Sequence, residues 1–595
     1  MYFALEIFLH LMSFENFDGH MKNILCLLWL IALFFGCSKD EKEEIVSTSL
    51  NVILIDQNGI AVPDAEITTE PSTRTMTTDE NGEVFFSNIN EGDYVLIASI
   101  IEGLVEYRKG ITIKTGIENE VVFIIDLIDP NPPTGPGEAE IEGLINDIYQ
   151  QLKGRNVFDA SGYVSYWGDV GTDLVSSNFY AELDRYSFDS GTPIINYVWE
   201  SHYNLIAGGI NKVLKHLEDI ETNLSSMQLK QKAELQFLRG LLYFNMVRLY
   251  GNPIVVTEDD YGQPDTSTYA QGMQEAYDLI ISDLQFAKSN LPSISTSSRA
   301  SKEAATALLG KVYLQSAGFP MLVNENYNKA IQQFEEIEGK FSLSEDYSAL
   351  FNSDLSGNPE VIFKVDFKAE NSQGGNYGVL WGPLGYALYD FFQPTPKAIN
   401  GYFQTANMVE TPVSFPIETA DTRFYQNIAT FKVESGQKTN LEDITNWRPY
   451  KYKKDIATPI EENGGNLDFI ILRYADILLM KAEAINAISG PNSETYSLVN
   501  EVRKRAYSDE MYPLPQGLSK QEFLEVIMEE RSKEFFMEGH RKDDLIRNQM
   551  LEEVLNDYNA QTSGPKKIFK SHNYIWPIPA KEFTFNPSVK QNPGY

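Results

Sequence analysis

Cysteine is almost absent from this chain, and its scarcity removes two structural classes at once. Of 595 residues only Cys26 and Cys37 are cysteines, and both lie in one apolar stretch near the N-terminus. A disulfide framework and a cysteine-built zinc site are therefore excluded from the rest of the chain. Histidine is scarce too. His10, His20, His202, His216, His540 and His572 show no HxxxH or similar spacing, so none reads as a metal ligand. Asp259, Asp260 and Asp265 likewise lack calcium-loop spacing, and no metal is expected. Positive charge is in short supply, with Lys+Arg 48 against Asp+Glu 84 and a net charge of -36. No basic face is clustered for phosphate contacts, which argues against nucleic-acid binding and leaves the acidity as a source of solubility. Catalytic signatures are missing as well. Gly436-Gln437-Lys438-Thr439 has no upstream glycine to complete a phosphate loop, and neither a nucleophile elbow nor a zinc-protease motif occurs. The chain is expected to be no enzyme and to need no cofactor.

What is present begins with Met21-Lys22-Asn23, a short positive region, followed by a nearly unbroken apolar run from Ile24 to Phe35. A bilayer span needs roughly 20 residues, so this run suits a signal-peptide core better than a membrane helix. It ends in Phe34-Phe35-Gly36-Cys37, and Ser38-Lys39-Asp40-Glu41-Lys42-Glu43-Glu44 follows at once. A small residue before cysteine at that place resembles a bacterial lipobox, with Phe34 where Leu is usual. The resemblance implies cleavage before Cys37 and lipid on Cys37, several acyl chains giving a stable membrane anchor where one is marginal. The alternative is a cysteine buried in an anchor helix. The acidic run resembles the export signal that sends Bacteroidota lipoproteins to the cell surface. Glu15 and Asp18 sit where a signal peptide carries positive charge, so Met21 is the expected start. Residues 1–36 are thus expected to be an upstream extension with a signal peptide, and 37–48 a lipidated acidic tether.

From 49 to 128 the pattern is short strands with turns. Leu50 to Ile55, Val84-Phe85-Phe86, Tyr94 to Ala98 and Val121 to Ile125 are β-rich, and Asp79-Glu80-Asn81-Gly82 and Glu91-Gly92-Asp93 supply turn chemistry. This spacing predicts a small all-β sandwich. Its wording (Val62-Pro63-Asp64-Ala65, Thr78-Asp79-Glu80-Asn81-Gly82-Glu83, Gly92-Asp93-Tyr94) resembles carboxypeptidase-regulatory-like domains, which implies a non-catalytic spacer or interaction module. Residues 129–137, Asp129-Pro130-Asn131-Pro132-Pro133-Thr134-Gly135-Pro136-Gly137, form a semi-rigid linker. Beyond Glu138 the period becomes helical. Leu235, Leu238, Leu242, Met246 and Leu249 fall on one side of a helix that Gly251-Asn252-Pro253 stops. Further helices are expected at Tyr277–Ile281, Ala304–Leu314, Tyr327–Ile337, Ile470–Ala487 and Tyr496–Ala506, with small residues such as Ala305, Gly310, Ala482 and Ala484 at close-packing points. They suit helical hairpins stacked in the tetratricopeptide manner. Between Ser353 and Lys454 the helical pattern breaks down into a long irregular region of the kind that is usually functional.

Several blocks over 138–595 run in one order. They are Tyr197 to Tyr203 with Ile210-Asn211, Ala233 to Gly240 with Val247 to Gly251, Ala300 to Ala305 with Gly310 to Leu314, and Asp421-Thr422-Arg423. Leu472 to Leu479 with Ala482-Glu483-Ala484, Val502 to Ala506, Glu530 to Phe535, Glu538-Gly539-His540-Arg541 with Asp544 to Arg547, Trp576 to Pro579 and Gln591 to Tyr595 complete them. This set resembles the SusD/RagB family of outer-membrane nutrient-binding lipoproteins. Lys542 stands where that family usually has Trp, and a preceding sandwich is not a standard part of it. The resemblance implies a mainly α domain of tetratricopeptide-like hairpins with a long irregular insert. It also implies a cell-surface location and partnership with a TonB-dependent (SusC-like) outer-membrane transporter, over which the protein acts as a lid that captures an oligosaccharide. Peptide or glycopeptide capture, a mainly structural lid and a glycan-degrading enzyme are the other readings kept open.

Carboxylates at Glu530, Glu534, Glu538 and Asp544 are interleaved with Arg531, Arg541 and Arg547, and read as ion pairs locking helices together rather than as catalytic acids. Arg473 with Asp476 reads as a buried pair. Aromatics carry the binding expectation, because sugar C–H faces stack on rings while amides and carboxylates hold hydroxyls. Trp381 with Tyr377, Tyr386 and Tyr389 is expected to form a mobile aromatic platform, and Trp167 with Tyr166, Asp173 and Asn178 a second cluster. Trp447 is a third loop tryptophan, whereas Trp199 and Trp576 read as core. For each loop tryptophan an anchor to the core is the alternative.

Overall fold

The computed structural model describes residues 48–595, apart from 57–60, 101–104, 116–118, 126–136, 160–167, 220–223, 263–268, 294–297, 352–354, 368–374, 376, 378–380, 388–389, 404–417, 453–465 and 508–512. Cys37, its signal segment and tether, and most of the proline linker lie outside the described residues. So do Trp167, Tyr166 and Tyr389. The chain divides into two compact units, 1–135 and 136–595.

In the first unit β1 (Ser49–Asp56), β4 (Glu83–Ser87) and β7 (Asn119–Ile125) form one sheet in the order β4-β1-β7. β2 (Glu66–Glu70), β3 (Met76–Thr77), β5 (Gly92–Ile100) and β6 (Val105–Ile113) form a second, in the order β3-β2-β5-β6. Alternation places Val84 and Phe86 inside and Phe85 outside, and Leu50, Val52, Ile67, Leu96 and Ile113 share the same core. The Asp79–Gly82 turn forms as its chemistry demands. Asp79 Oδ1 accepts from the backbone N–H of Asn81 and Glu83, both at 2.9 Å, and Gly82 takes φ +73° where a Cβ would meet Leu54 O at 2.3 Å.

The second unit opens with α1 (Glu138–Gln151). α2 (Pro193–Tyr203) passes through a π segment, Asn204–Ile210, into α3 (Asn211–Asp219). α4 (Ser226–Tyr250) starts at a Ser225/Gln228 capping box and stops at Gly251, φ +69°. The apolar stripe expected on α4 understates its burial: Glu234, Arg239 and Asn245 are buried too, so neighbours surround it. Arg239 is satisfied there by Asp283 at 2.7 Å and Asn211 at 2.9 Å. α5 (Met273–Asn290), α6 (Lys302–Ala317) and α7 (Asn326–Glu335) stack onward, with Gly310 of α6 pressed on Phe334 of α7, where a Cβ would come within 2.4 Å of the ring. α8 (Tyr474–Ser489), α9 (Ser493–Ala506), α10 (Lys520–Glu534), α11 (Arg541–Arg547) and α12 (Leu551–Gln561) complete the helices used below.

Between them run β8 (Val175–Ser177), β9 (Val361–Val365), β10 (Phe392–Pro394) and β11 (Phe469–Arg473), pairing antiparallel as β8 with β10 and β9 with β11. The helix expected from Ile470 is corrected by this. Phe469–Arg473 is a strand, buried at every residue like its partner, and a fully buried strand shows neither alternation nor helical period.

Arg473, at the junction of β11 and α8, donates to Glu538 at 2.9 Å, Glu360 at 2.8 Å and Glu534 at 2.6 Å. The expected Arg473–Asp476 pair does not form, and Asp476 accepts instead from Arg531 at 2.8 Å and Lys311 at 2.9 Å. Arg423 binds Asp421 through two nitrogens and reaches Glu530 at 2.7 Å and Glu534 at 2.9 Å. Arg547 pairs with Glu483 at 2.7 Å and with Asp544, three residues away, at 2.8 Å. Apart from Asp421–Arg423 and Asp544–Arg547, these pairs join separate segments rather than neighbours in the chain. Burial pushes the Glu530 carboxyl up, but Arg423, Lys533 and Arg503 outweigh it and hold it at about 2.

Arg473→Met is expected to remove about 3–5 kcal/mol of stability, because three buried carboxylates lose one cation they share and leave excess negative charge on Arg423, Arg505 and Lys451 to balance. The denaturant midpoint of the mature chain measures this. A loss below about 1 kcal/mol would show the network to be dispensable.

Candidate functional site

The β8–β10 ladder sets Ser177 opposite Phe392 and Ser176 opposite Gln393. Phe392 is buried while its neighbours Phe391 and Gln393 turn outward, as strand alternation requires. Beside this ladder lies a cleft of about 450 Å³, lined in part by Ser176, Asn178, Asp390, Phe391, Arg448 and Tyr558. Phe179 is 60% exposed and stacks on Phe391 with ring centroids 3.9 Å apart and planes 20° off parallel. Tyr180 supports the pair from beneath, edge-on to Phe179 at 4.8 Å and stacked on Phe392 at 5.9 Å. Polar groups surround it. Arg448 binds the exposed Asp390 carboxylate at 2.9 Å, Asn178 accepts from Arg185 at 2.8 Å, and the Ser176 and Tyr558 hydroxyls lie 3.0 Å apart. The arrangement offers an apolar ring face flanked by donors and acceptors.

A second cavity of about 590 Å³ shares Pro396, Tyr558, Gln561 and Thr562 with this cleft. Asp173 lines it, buried and held by Arg541 Nε at 2.9 Å and Nη2 at 2.7 Å. Asp173 therefore positions the wall and does not project as the expected hydrogen-bonding group, a correction with a clear cause: both its oxygens are already engaged. Among the described residues no group of three metal-ligating side chains converges.

The expected platform around Trp381 is also corrected. Trp381 and Tyr377 are buried, at 2% and 0% exposure. Trp381 sits edge-on to Tyr377 at 5.4 Å and Tyr452 at 5.3 Å, and Tyr377 stacks on Phe469 at 5.0 Å while donating to Phe158 O at 2.6 Å. Trp447 is fully buried as well, its indole N–H donating to Leu441 O at 2.9 Å and its ring edge-on to Phe424. An irregular segment has few backbone ladders to hold it, so its largest rings serve as anchors. Tyr386 is half-buried, and Asn178 alone of the described sequence candidates lies exposed on the cleft. Phe179 and Phe391 were passed over in favour of tryptophan and tyrosine. The pattern Phe391-Phe392-Gln393, one aromatic in and its neighbours out, is the signal that marks Phe391.

Two buried titratable groups lie elsewhere in the unit. Lys542 places its ammonium 5.4 Å from the Tyr186 ring in a cation–π contact, and burial with Lys567 nearby lowers it to about 8. Gly168 approaches the backbone of Gly539 so closely that a Cβ would overlap it, and next to it Asp169 Oδ2 accepts from Gly539 N at 3.0 Å. Asp169 Oδ1 has no hydrogen-bond partner among the described residues, and burial raises this carboxyl to about 7.

Trp381→Ala is expected to destabilise the unit by about 3–5 kcal/mol, and Trp381→Phe by clearly less, since the indole N–H has no partner to lose among the described residues. Equal losses in denaturant titrations would refute this ring-packing account. Asp169 binds its proton more tightly folded than unfolded, so its contribution is full below about 3.9 and fades as pH rises towards about 7. Asp169→Asn should therefore gain stability relative to the parent between pH 4 and 7. A constant difference in thermal midpoint across that range would contradict it.

The comparisons with known proteins follow this geometry. The SusD family model matches residues 359–595, and a second model, described as starch-binding associating with outer membrane, matches 134–314. A SusD-like protein of Formosa agariphila is 26% identical over 77% of this chain and 92% of its own length. A SusD homologue of Bacteroides thetaiotaomicron superposes with a TM-score of 0.66 at 23% identity, covering 78% of this chain and 98% of that one. A laminarin-binding SusD-like protein superposes at 0.62 and 23% identity, covering 77% and 99%. The two family matches fall on the two halves of the helical unit, on either side of a stretch that contains α7. The chain belongs to the SusD/RagB family.

Proposed function

We propose that this protein is a non-catalytic, cell-surface lipoprotein of the outer membrane that captures an oligosaccharide and passes it to a TonB-dependent transporter. The observation that carries the binding reading is the exposed Phe179–Phe391 stack beside a cleft of hydroxyl, amide, carboxylate and guanidinium groups. A pyranose needs that combination, an apolar face for its C–H groups and mixed donors and acceptors for its hydroxyls. The starch-binding description of one family model and the laminarin-binding relative support carbohydrate as the class. The description of that model supports the outer membrane as the location. Lipid on Cys37 and the transporter partner rest on the sequence resemblance. The first unit is proposed to act as a carboxypeptidase-regulatory-like spacer. Tyr389, adjoining Asp390, and Trp167 with Tyr166, upstream of Asn178, are proposed to extend the contact surface.

Calorimetry of the mature chain against laminarin and starch oligosaccharides tests the reading. Phe179→Ala and Phe391→Ala are each expected to weaken binding about tenfold, or ~1–2 kcal/mol, with thermal unfolding nearly unchanged for exposed Phe179. Undiminished binding in the double variant would remove the cleft from the function.

A further inference from the structure

A third cavity, a groove of about 750 Å³, opens between α5, α7 and the segment joining α6 to α7. α5 contributes Gln274, Asp278, Ile281 and Gln285, a stripe at four-, three- and four-residue spacing that runs ~16 Å at the helical rise. α7 faces it with Asn326, Lys329, Gln332 and Gln333, again at helical spacing. Side-chain amides stand on both walls, Gln274 and Gln285 on α5 and Asn326, Gln332 and Gln333 on α7, and carboxylate exceeds ammonium, Asp278 and Glu325 against Lys329. Gln274 and Gln285 each spend one N–H within the groove, on Asp278 at 2.9 Å and on the Tyr313 hydroxyl at 3.2 Å, and keep their carbonyls for a ligand.

One of these amides is built in and incompletely used. Asn326 is 5% exposed, and its Nδ2 donates to Ser316 Oγ at 2.9 Å, while its Oδ1 has no hydrogen-bond partner among the described residues. A buried carbonyl without a donor is unfavourable, so a ligand whose entry turns the Asn326 side chain towards the groove and brings it an N–H or O–H gains what the folded chain lacks.

The chemistry of the walls selects the ligand class. A sugar is disfavoured, because the groove's two aromatic rings offer no platform. Tyr277 and Tyr313 are 4% and 5% exposed, and Lys329 Nζ stands 5.5 Å above the Tyr313 ring. An anion is disfavoured by the excess of carboxylate over ammonium. Carboxamides carry an acceptor and two donors in one plane, which matches the alternating C=O and N–H of an extended peptide edge. At ~3.3 Å per residue the stripe on α5 accommodates about five residues.

We propose that this groove binds an extended polypeptide segment, neutral or singly basic, of about five residues through its backbone. The site stands apart from the Phe179–Phe391 cleft and does not depend on the glycan reading.

The probe is a random 12-residue peptide library displayed on phage, panned on the full mature chain and counter-selected against Gln332→Trp. Gln332 is exposed, so the indole plugs the groove without disturbing the core. Enriched sequences are expected, and a synthetic copy should bind the parent and fail on Gln332→Trp at an unchanged melting temperature. N-methylation of alternate backbone nitrogens, and Asn326→Leu, should each weaken binding at least about tenfold. If Asn326→Leu unfolds, Gln285→Ala at an exposed position replaces it, with the same expectation. Three results would overturn the proposal: no enrichment over Gln332→Trp, equal affinity of the N-methylated copy, or an oligosaccharide whose binding Gln332→Trp abolishes.

Discussion

The helical unit is organised around charges that it has taken out of water. Glu530 and Glu534 of α10 and Glu538 just beyond it receive Arg423, Arg473 and, from α9, Arg503 and Arg505, which come from three separate places in the chain. None of these carboxylates has solvent to fall back on, so each arginine must reach its position for the others to be satisfied. An apolar core of the same volume would tolerate several packings of the irregular insert. Guanidinium–carboxylate pairs, with fixed direction and number, tolerate far fewer. Asp421–Arg423 and the strand β9, through Glu360, are thereby tied to a helix more than a hundred residues further along the chain.

Upon that frame the aromatic residues divide into two populations. Trp381, Tyr377, Tyr452 and Phe469 form an interlocked set that fills the space between the insert and the strands. Phe179 and Phe391 stand outside it, joined to the interior through Tyr180 and Phe392. The exposed stack is consequently held from behind, which limits the side-chain entropy that a ligand would have to remove.

Much of this was legible in the residues and part of it was not, for identifiable reasons. α4 announced itself through its period and its Gly251-Asn252-Pro253 stop, α5, α6 and α7 through their apolar runs, and Gly310 marked a close approach that the structure realises against Phe334. β11 was hidden because a strand buried on both faces, running straight into a helix, has the same apolar run as the helix. β2, β3 and β6 were missed because charged residues break their apolar pattern, as in Val105–Ile113. The ion pairs were recognisable as pairs, yet their partners were not, since Arg473 chooses among carboxylates by tertiary position rather than by spacing. For the site, aromatic type was a poor guide. Size made tryptophan attractive as a ligand platform, and the same size made it the residue best suited to anchoring a long loop.

The two grooves also differ in the physical currency of recognition, and the difference follows from where each sits. The cleft beside β8 and β10 lies where an irregular insert meets short strands, and outward-turning residues of such strands can present whole ring faces to solvent. The groove on α5 and α7 lies on regular helices, and its two rings, Tyr277 of α5 and Tyr313 of α6, are buried while amides such as Gln285 and Gln332 stay at the surface. Helix packing thus removes the rings that a sugar requires and keeps the planar donors and acceptors that a peptide backbone requires. On the two proposals made above, a saccharide and a polypeptide strand would draw on separate groups and would not compete.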